Sequence, residues 1–595
     1  MPIWSPFRRP APASWALGVL LLAAATVAQA SIRIEIEGVE GNLRRNVIAL
    51  LSLERYKDNE RVEPEAVERL YRRTDDEVRS ALRPFGYYDP TITTAPLTQD
   101  RQHNWIVHIA IDPGQPVLIS VVSIIVRGDG STDPSFTKLA PPANLKPGHR
   151  LEHADYEQAK DDLQRVALTY GYLDAHLQRN ELLVDPAQHS AEIHLEVETG
   201  ARYRFGATTI VQNVIRDSQM RRFLRYQEGE PFDVGKQLRT QFALDDSQYF
   251  STVDVSRGDP DTEHHTVPMH ITASRSTNSY SIGPGYGTDT GARITAGFTD
   301  PVINDRGHRL RILVQASQIE QLADASYDIP FGDPARDRFS IVGLAQYEQL
   351  TNSVTATALS LGPSLIEVRG VWQTGIAVNG VHAVTTDELS GRLADNLVVP
   401  QLTFATVPEG YLGEALFTRV LNLSIEGSDA ALGANTNFLR ADLQSERVLN
   451  ISPIWHLLLR GEVGAMVVRN FPEVPGFYRF FAGGDRSVRG FEFDSLSPTR
   501  YNALGQPVQI GAPNLVTGTF EVERDLPRSF GIATFFDFGN AIDHFNDPLA
   551  ASVGIGGRWR LPVVTVGLDI AQAVRAPGQT SLPGPRLSLN ISPKL

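Results

Sequence analysis

The sequence predicts an exported chain in which three α+β modules precede an all-β transmembrane barrel of about 16 antiparallel strands. Three observations support this fold class. The chain begins with an export signal, and a β-α-α-β-β pattern then recurs at intervals of roughly 80 residues. Residues 276–595 alternate like strands and lack helical periodicity, which predicts a barrel domain over that range.

Residues 1–30 are predicted to be a signal peptide. Arg8 and Arg9 form a basic start, residues 15–27 are mainly apolar, and residues 28–30 read Ala-Gln-Ala, a small-residue cleavage site. A membrane anchor is the alternative, but the apolar run is short and ends in small residues. Because the chain has no cysteine, we expect a bacterial envelope protein rather than a disulfide-rich ectodomain.

Composition narrows the class of function. The 595 residues include 55 Lys or Arg and 69 Asp or Glu, which gives a formal net charge of −14. This acidic balance disfavours nucleic acid as a partner, and the lack of cysteine excludes thiolate zinc sites and a catalytic thiol. The sequence also lacks a serine nucleophile elbow, a phosphate-binding loop and a His-Glu-x-x-His motif. It therefore predicts no enzyme, no cofactor and no metal site.

The three modules are predicted at residues 31–114, 115–200 and 201–275. The first combines strands at 32–36, near 92 and at 106–111 with helices at 43–53 and 64–82. The second combines strands at 121–126 and 191–197 with a helix at 156–170. The third combines strands at 203–210 and 253–255 with helices at 219–226 and 234–245.

Each module closes its second helix with an aromatic turn, where a small residue lets the chain reverse and the ring caps the helix–sheet core. The turns are Gly86-Tyr87-Tyr88-Asp89, Gly171-Tyr172-Leu173-Asp174 and Tyr249-Phe250-Ser251. Unrelated domains could share such turns by coincidence. Three copies in one element order favour an array instead.

Alternating segments define the predicted barrel at residues 276–595. Segments 366–378, 421–426 and 516–525 place apolar residues at every second position. A soluble β-sandwich would alternate in the same way. The segments are mostly about 10 residues or longer, as tilted membrane strands require, and no helical pattern is available to cover an apolar face. With the export signal, these features favour a membrane barrel.

A long inter-strand stretch, residues 472–514, carries Val488-Arg489-Gly490-Phe491. Loops of this length are uncommon unless they are functional. An arginine between apolar neighbours favours a buried carboxylate, because its planar fork makes bidentate bonds. Glu521 and Asp537 are the candidates, since alternation places both on the lumenal side of their strands. The alternative is a solvent-exposed loop with solvated charges, and spacing alone leaves both possibilities open.

These motifs resemble those of TamA-type members of the BamA/TamA outer-membrane assembly superfamily. The resemblance covers essentially the whole mature chain, and the three modules resemble POTRA domains in the number typical of the TamA type. The matching segments are Val488–Phe491, Phe481–Ser487, the Phe535, Asp537 and Gly539 set, and the Gly518, Thr519 and Glu521 set.

The resemblance implies a protein that inserts or translocates autotransporters and other β-barrel clients at the outer membrane. It also implies a TamB-like inner-membrane partner docked on the POTRA domains in the periplasm, contact with outer-membrane lipid, and no cofactor. Two alternatives are a two-partner secretion transporter and a passive outer-membrane channel.

The first and last barrel strands are expected to meet at a weak lateral seam. Gly283, Pro284 and Gly285 interrupt the first strand, while Leu587, Leu589 and Ile591 lie on a last strand that follows Pro583-Gly584-Pro585. Proline removes a ladder donor and glycine weakens a strand. A seam that opened sideways would present an unpaired edge to which a client strand could add.

Overall fold

The computed structural model describes residues 32–57, 63–101, 104–407, 417–562 and 564–593. The signal-peptide prediction for residues 1–30 lies outside them. The chain divides into two compact units, one ending at Tyr203 and the other beginning at Arg204. Within the described ranges, no helix has the length and hydropathy needed to cross a membrane.

The first module packs helices against a small mixed sheet. Its elements are β1 (Ile32–Glu37), α1 (Gly41–Leu50), α2 (Ser52–Arg55), α3 (Pro64–Tyr71), α4 (Thr74–Leu82), β2 (Thr91–Thr94), β3 (Thr98–Gln99) and β4 (Trp105–Asp112). Strand β4 is central, parallel to β1 and antiparallel to β2. Its alternate residues Val107, Ile109 and Ile111 are buried against the helices, as the predicted period-2 pattern requires.

The second module repeats this plan with a shorter first helix. Its elements are β5 (Leu118–Arg127), α5 (Pro134–Thr137), α6 (His153–Thr169), β6 (His176–Asp185) and β7 (Ser190–Glu198), in sheet order β5-β7-β6. Helix α5 was not predicted, because four residues are too few to show periodicity. Its start is set by Asp133, whose Oδ1 accepts the Ser135 amide at 2.8 Å.

The third module belongs to the second unit. Its elements are β8 (Arg204–Val211), α7 (Asp217–Met220), α8 (Val234–Asp246), β9 (Phe250–Arg257) and β10 (Thr266–Arg275). The predicted helix at 219–226 is wrong beyond residue 223, because the backbone becomes extended at Leu224. A tertiary bond takes over there, since the Arg225 amide donates to Thr240 Oγ1 at 2.9 Å.

An arginine from the following segment covers the tyrosine of each aromatic turn. Arg150 lies over Tyr87 at 5.6 Å, Arg202 over Tyr172 at 5.5 Å, and Arg309 over Tyr249 at 5.4 Å from guanidinium carbon to ring centroid. These distances are within cation–π range. The repeat therefore includes a contact between each aromatic turn and the chain that follows, as well as its element order.

Two of these arginines each make a second contact of the same kind, a hydrogen bond to a backbone carbonyl. Arg202 Nε donates to the Tyr170 carbonyl at 2.8 Å, and Arg309 donates to the Ser247 carbonyl, in each case two residues before the stacked tyrosine. In the first unit, burial and a hydrogen bond to Asp133 also raise the pKa of Tyr172 to about 12.

In the second unit, the bonds of Arg309 to Tyr249 and Ser247 link the third module to β13, the strand that begins with Arg309.

Sixteen strands of the described chain form a closed antiparallel barrel, which confirms the predicted fold class. They are β11 (Ser279–Gly287), β12 (Gly291–Asp300), β13 (Arg309–Ala316), β14 (Glu320–Pro330), β15 (Arg338–Thr351), β16 (Val354–Arg369), β17 (Trp372–Asp387), β18 (Gly391–Thr406), β19 (Phe417–Ser428), β20 (Phe438–Ser452), β21 (Trp455–Val468), β24 (Asn514–Leu526), β25 (Phe530–Ile542), β26 (Ala550–Arg560), β27 (Val564–Arg575) and β28 (Arg586–Pro593). Two further strands, β22 (Thr499–Tyr501) and β23 (Pro507–Gln509), pair in the loop between β21 and β24.

One predicted strand is a hairpin. Residues 366–378 alternate throughout, but β16 ends at Arg369 and β17 begins at Trp372. Gly370 between them has a φ of 62°, a left-handed conformation that tight turns need and glycine adopts without steric cost. Apolar residues stay at even positions on both arms, so periodicity alone did not reveal the reversal. The pairing of Ile366 with Gly375 nevertheless places Ile366 on the face opposite to the exposed Ile376.

Replacing Arg309 with Ala should raise amide hydrogen exchange in residues 247–249 and 305–308 by about tenfold, because Tyr249 and the Ser247 carbonyl lose their cationic partner. Exchange mass spectrometry of the folded protein measures this. Arg306→Ala is the matched control, since Arg306 is exposed in the same turn. Equal protection in the two variants would contradict a bracing role for Arg309.

Candidate functional site: the lumenal loop and the barrel seam

The segment between β21 and β24 folds into the barrel. An ion pair of two fully buried side chains anchors its root, with Arg479 bonded to Asp387 of β17 at 3.0 Å. The same guanidinium donates to the carbonyls of Pro472 and Val474. The loop therefore starts from a fixed point on the inner wall.

Apolar packing holds the middle of this lumenal loop, residues 469–513. Val488 and Phe491 are buried in one cluster with wall residues that include several alanines. The small wall side chains are Ala358, Ala383, Ala541, Ala550 and Ala573. Small residues on the wall leave room for the loop, so the lumen around it is a packed core.

Arg489 is 2% exposed and bonds to two strands of the wall. Its Nε and one terminal nitrogen donate to the carboxylate of Asp537 on β25 at 2.7 and 2.9 Å. The other terminal nitrogen donates to Glu521 on β24 at 2.6 Å. This is the bidentate geometry that only a planar guanidinium makes. Sequence reasoning proposed these partners, and the structure brings all three side chains together.

Further groups complete the charge network. The guanidinium carbon of Arg489 lies 3.2 Å from the ring centroid of Phe535. Arg558 on β26 donates to the second oxygen of Glu521 at 3.2 Å and also pairs with Asp569 on β27. Four consecutive strands are therefore joined through one loop residue and its neighbours.

Gly490 allows the loop backbone to touch the wall. Its amide donates to Ser552 Oγ at 3.3 Å. A Cβ at this position would lie 2.7 Å from Ser552 Cβ and 3.0 Å from the Ala573 amide nitrogen. The glycine of the Val-Arg-Gly-Phe motif is thus required for close approach.

The seam between β11 and β28 has little ladder. Among the described residues, the two strands pair only at Tyr286 with Ile591 and Gly287 with Asn590. By contrast, β11 pairs with β12 from Ser279 to Gly287. Pro284 cannot donate a ladder bond, and it lies within the part of β11 that has no partner on β28.

The predicted seam residues occupy both sides of this junction. Gly283 is buried toward the lumen, whereas Pro284 and Leu587 are exposed. Gly285 approaches β28 closely, since a Cβ there would lie 3.2 Å from the Ile591 carbonyl oxygen. The backbone amide of Leu589 bonds to Thr288 Oγ1 at 2.7 Å instead of to a ladder carbonyl.

Sequence reasoning missed several members of the site. Alternation would have placed Arg558 and Asp569 on the lumenal face, but nothing local shows that they meet. The contacts of Asp289, beyond β11, with Arg586 on β28 were missed for the same reason. Their separation along the chain is almost the whole length of the barrel domain.

Two family models match the chain. Residues 33–113 match the first POTRA domain of the TamA type, and residues 417–592 match the Omp85 superfamily domain. The barrel therefore lies in the outer membrane and the amino-terminal modules lie in the periplasm.

Relatives are similar to this chain over most of its length. The outer membrane protein assembly factor BamA of Neisseria meningitidis serogroup B is 23% identical over 514 residues, and that of Nitratidesulfovibrio vulgaris is 21% identical over 505. Each match covers 80% of this chain, which spans 63% and 62% of the two relatives. The crystal structure of BamA from Haemophilus ducreyi lacking POTRA domains 1–3 has the same fold. It aligns with a TM-score of 0.64 at 16% identity, over 80% of this chain and 100% of that one.

Replacing Arg489 with Ala should expose the lumenal loop to protease while the barrel stays folded. Removing the cation leaves buried carboxylates unpaired, a cost of about 3–5 kcal/mol. Arg489→Lys should restore only part of the protection, because an ammonium lacks the planar fork. Limited proteolysis and heat-modifiable gel mobility measure the two properties.

The matched control is Arg486→Ala, since Arg486 is exposed on the same loop. Asp537→Asn should give a milder effect, because an amide oxygen still accepts one bond from Arg489. If the loop were cleaved at the same rate in Arg489→Ala and Arg486→Ala, the anchoring role of Arg489 would be wrong.

Proposed function

We propose that this Omp85 protein inserts or translocates autotransporters and other β-barrel proteins at the outer membrane through the seam between β11 and β28. The observation that carries the proposal is the short ladder at this seam. A strand edge with unpaired donors and acceptors is a template for another strand. A client hairpin could add to β11 by main-chain bonds, with little demand on its own sequence.

The lumenal loop favours an assembly role over a passive channel. A pore needs an open lumen, whereas this lumen holds a packed loop anchored by Arg479 and Arg489. We propose that the Val488–Phe491 motif braces strands β24 to β27. The first strand, β11, could then move away from β28 while this part of the wall stays rigid. The chemistry is strand exchange and lipid contact, which requires no cofactor and makes the protein a non-enzyme.

We further propose the TamA branch of the superfamily. The match of residues 33–113 to the first POTRA domain of the TamA type supports it, as do three modules at residues 31–114, 115–200 and 201–275. A TamB-like inner-membrane protein would then dock on these periplasmic modules. Two relatives that the chain resembles are named assembly factors, which supports the broader role.

Cysteines replacing Tyr286 and Ile591 should form a disulfide that locks the seam and stops client insertion. The two residues are register partners across the seam, and antiparallel partners lie about 4.5–5.5 Å apart at Cα, within disulfide reach. The native chain has no cysteine to interfere. Insertion of an autotransporter barrel into vesicles that contain the oxidised or the reduced protein measures the effect.

A second cysteine pair at Ala296 and Val314 is the control. These residues are register partners on β12 and β13, away from the seam, and both are exposed on the outer face. Oxidation of this variant should leave its client-insertion activity unchanged. Full client insertion by the oxidised Tyr286–Ile591 pair would exclude the seam as the route.

A further inference from the structure

Asp289 joins three parts of the barrel that are distant in sequence. It lies in the turn between β11 and β12, and its side chain is 6% exposed. One carboxylate oxygen accepts the backbone amide of Asp485 in the lumenal loop at 2.6 Å. The other accepts the guanidinium of Arg586, the first residue of β28. A single carboxylate thus bonds the first strand's turn, the loop and the last strand.

Neighbouring groups add two more bonds between the loop and β28. Arg586 also donates to the Phe491 carbonyl of the loop. Ser588 on β28 donates to the carboxylate of Asp485. The loop therefore bonds to β28 at Arg586 and Ser588, a few residues before the short ladder.

The loop backbone at this point has no room for a side chain. Gly484 has a φ of 94°, and a Cβ built on it would lie 2.7 Å from the nearer carboxylate oxygen of Asp289. A glycine in the left-handed region lets the Asp485 amide reach the carboxylate. The contact therefore depends on the seated conformation of the loop tip.

We propose that Asp289 is a latch, a positioning residue that keeps the seam closed only while the lumenal loop is seated. The ladder between β11 and β28 covers only two register positions of the described residues, and the side-chain bonds through Asp289 add an attachment that depends on the loop. Release of the loop tip and opening of the seam are then one event. That this opening admits client strands rests on the proposed function. The coupling of loop release to seam opening is a property of the barrel and does not rest on it.

The competing arrangement is a seam held by its ladder and by Thr288, independent of the loop. Thr288 donates its amide to the Leu589 carbonyl at 3.0 Å and accepts the Leu589 amide at 2.7 Å. In that case, removing the charge of Asp289 would loosen the loop tip without opening the strands. Distances across the seam separate the two arrangements.

Spin labels on cysteines replacing Ile282 and Leu587 report the seam. Both native residues are exposed, at 70% and 57%. In phosphatidylethanolamine–phosphatidylglycerol vesicles, pulsed electron resonance should give one dominant distance for the otherwise native chain. Asp289→Asn and Arg586→Gln should each raise a longer-distance population by about tenfold, the effect of losing one charge-assisted bond.

Asp337→Asn is the matched control. Asp337 is a buried aspartate in the turn before β15, paired at 2.6 Å with Arg369 at the end of β16, away from the seam. It should leave the distances unchanged. Heat-modifiable mobility identifies the folded variants, and Arg586→Gln carries the test if Asp289→Asn does not fold.

Coupling to the loop is tested by combining Asp289→Asn with Arg489→Ala. A latch predicts that each variant opens the seam and that the pair opens it no further than the stronger single variant. Unchanged distances in both Asp289→Asn and Arg586→Gln, or fully additive effects of the pair, would overturn the proposal. If the seam opens as expected while client insertion by the native chain is absent, the latch stands and the proposed function fails.

Discussion

Every backbone donor and acceptor in a membrane barrel needs a partner, and this requirement governs the structure. Fifteen strand junctions meet it with ladders, and the sixteenth, between β11 and β28, meets it at only two register positions in the described residues. The lumenal loop compensates from inside. Its bonds to Asp537 and Glu521 fix one part of the wall, and its bonds to Asp289 and β28 reach the seam.

The buried arginines of the lumenal loop fix its position against the barrel wall. An ion pair removed from water gains little net stability, but breaking it from one side is costly. Arg479 and Arg489 therefore fix where the loop enters the lumen and where its Val488–Phe491 motif meets the wall. A hydrophobic loop of the same volume would pack as well but would not select one register against the wall.

The periplasmic modules follow a related design. Their aromatic turns each meet an arginine from the chain that follows, and the last of these, Arg309, is the first residue of β13. In the second unit, ion pairs of Arg216 with Asp305 and Arg225 with Asp333 add to this contact between the third module and barrel turns. The third module is thereby attached to the barrel close to the seam strands.

The sequence by itself determined the fold class and the repeat, and it offered the two wall carboxylates as candidates while leaving an exposed loop possible. Period-2 alternation identifies which side of a strand faces the lumen, so Asp537 and Glu521 could be proposed as partners of Arg489 from local pattern alone. The hairpin at Gly370 was missed because apolar residues occupy even positions on both of its arms, although the turn reverses which face they take. The end of the helix near Leu224 was missed because a tertiary bond to Thr240 competes with the helix.

Tertiary structure alone decided which lumenal groups meet. Barrel closure brings Asp289 to Arg586, and loop entry brings Asp485 to Asp289 and Ser588, although no sequence pattern connects these positions. The physical reason is that side-chain direction is local, whereas contact across a closed sheet depends on strand number, register and the path of the loop.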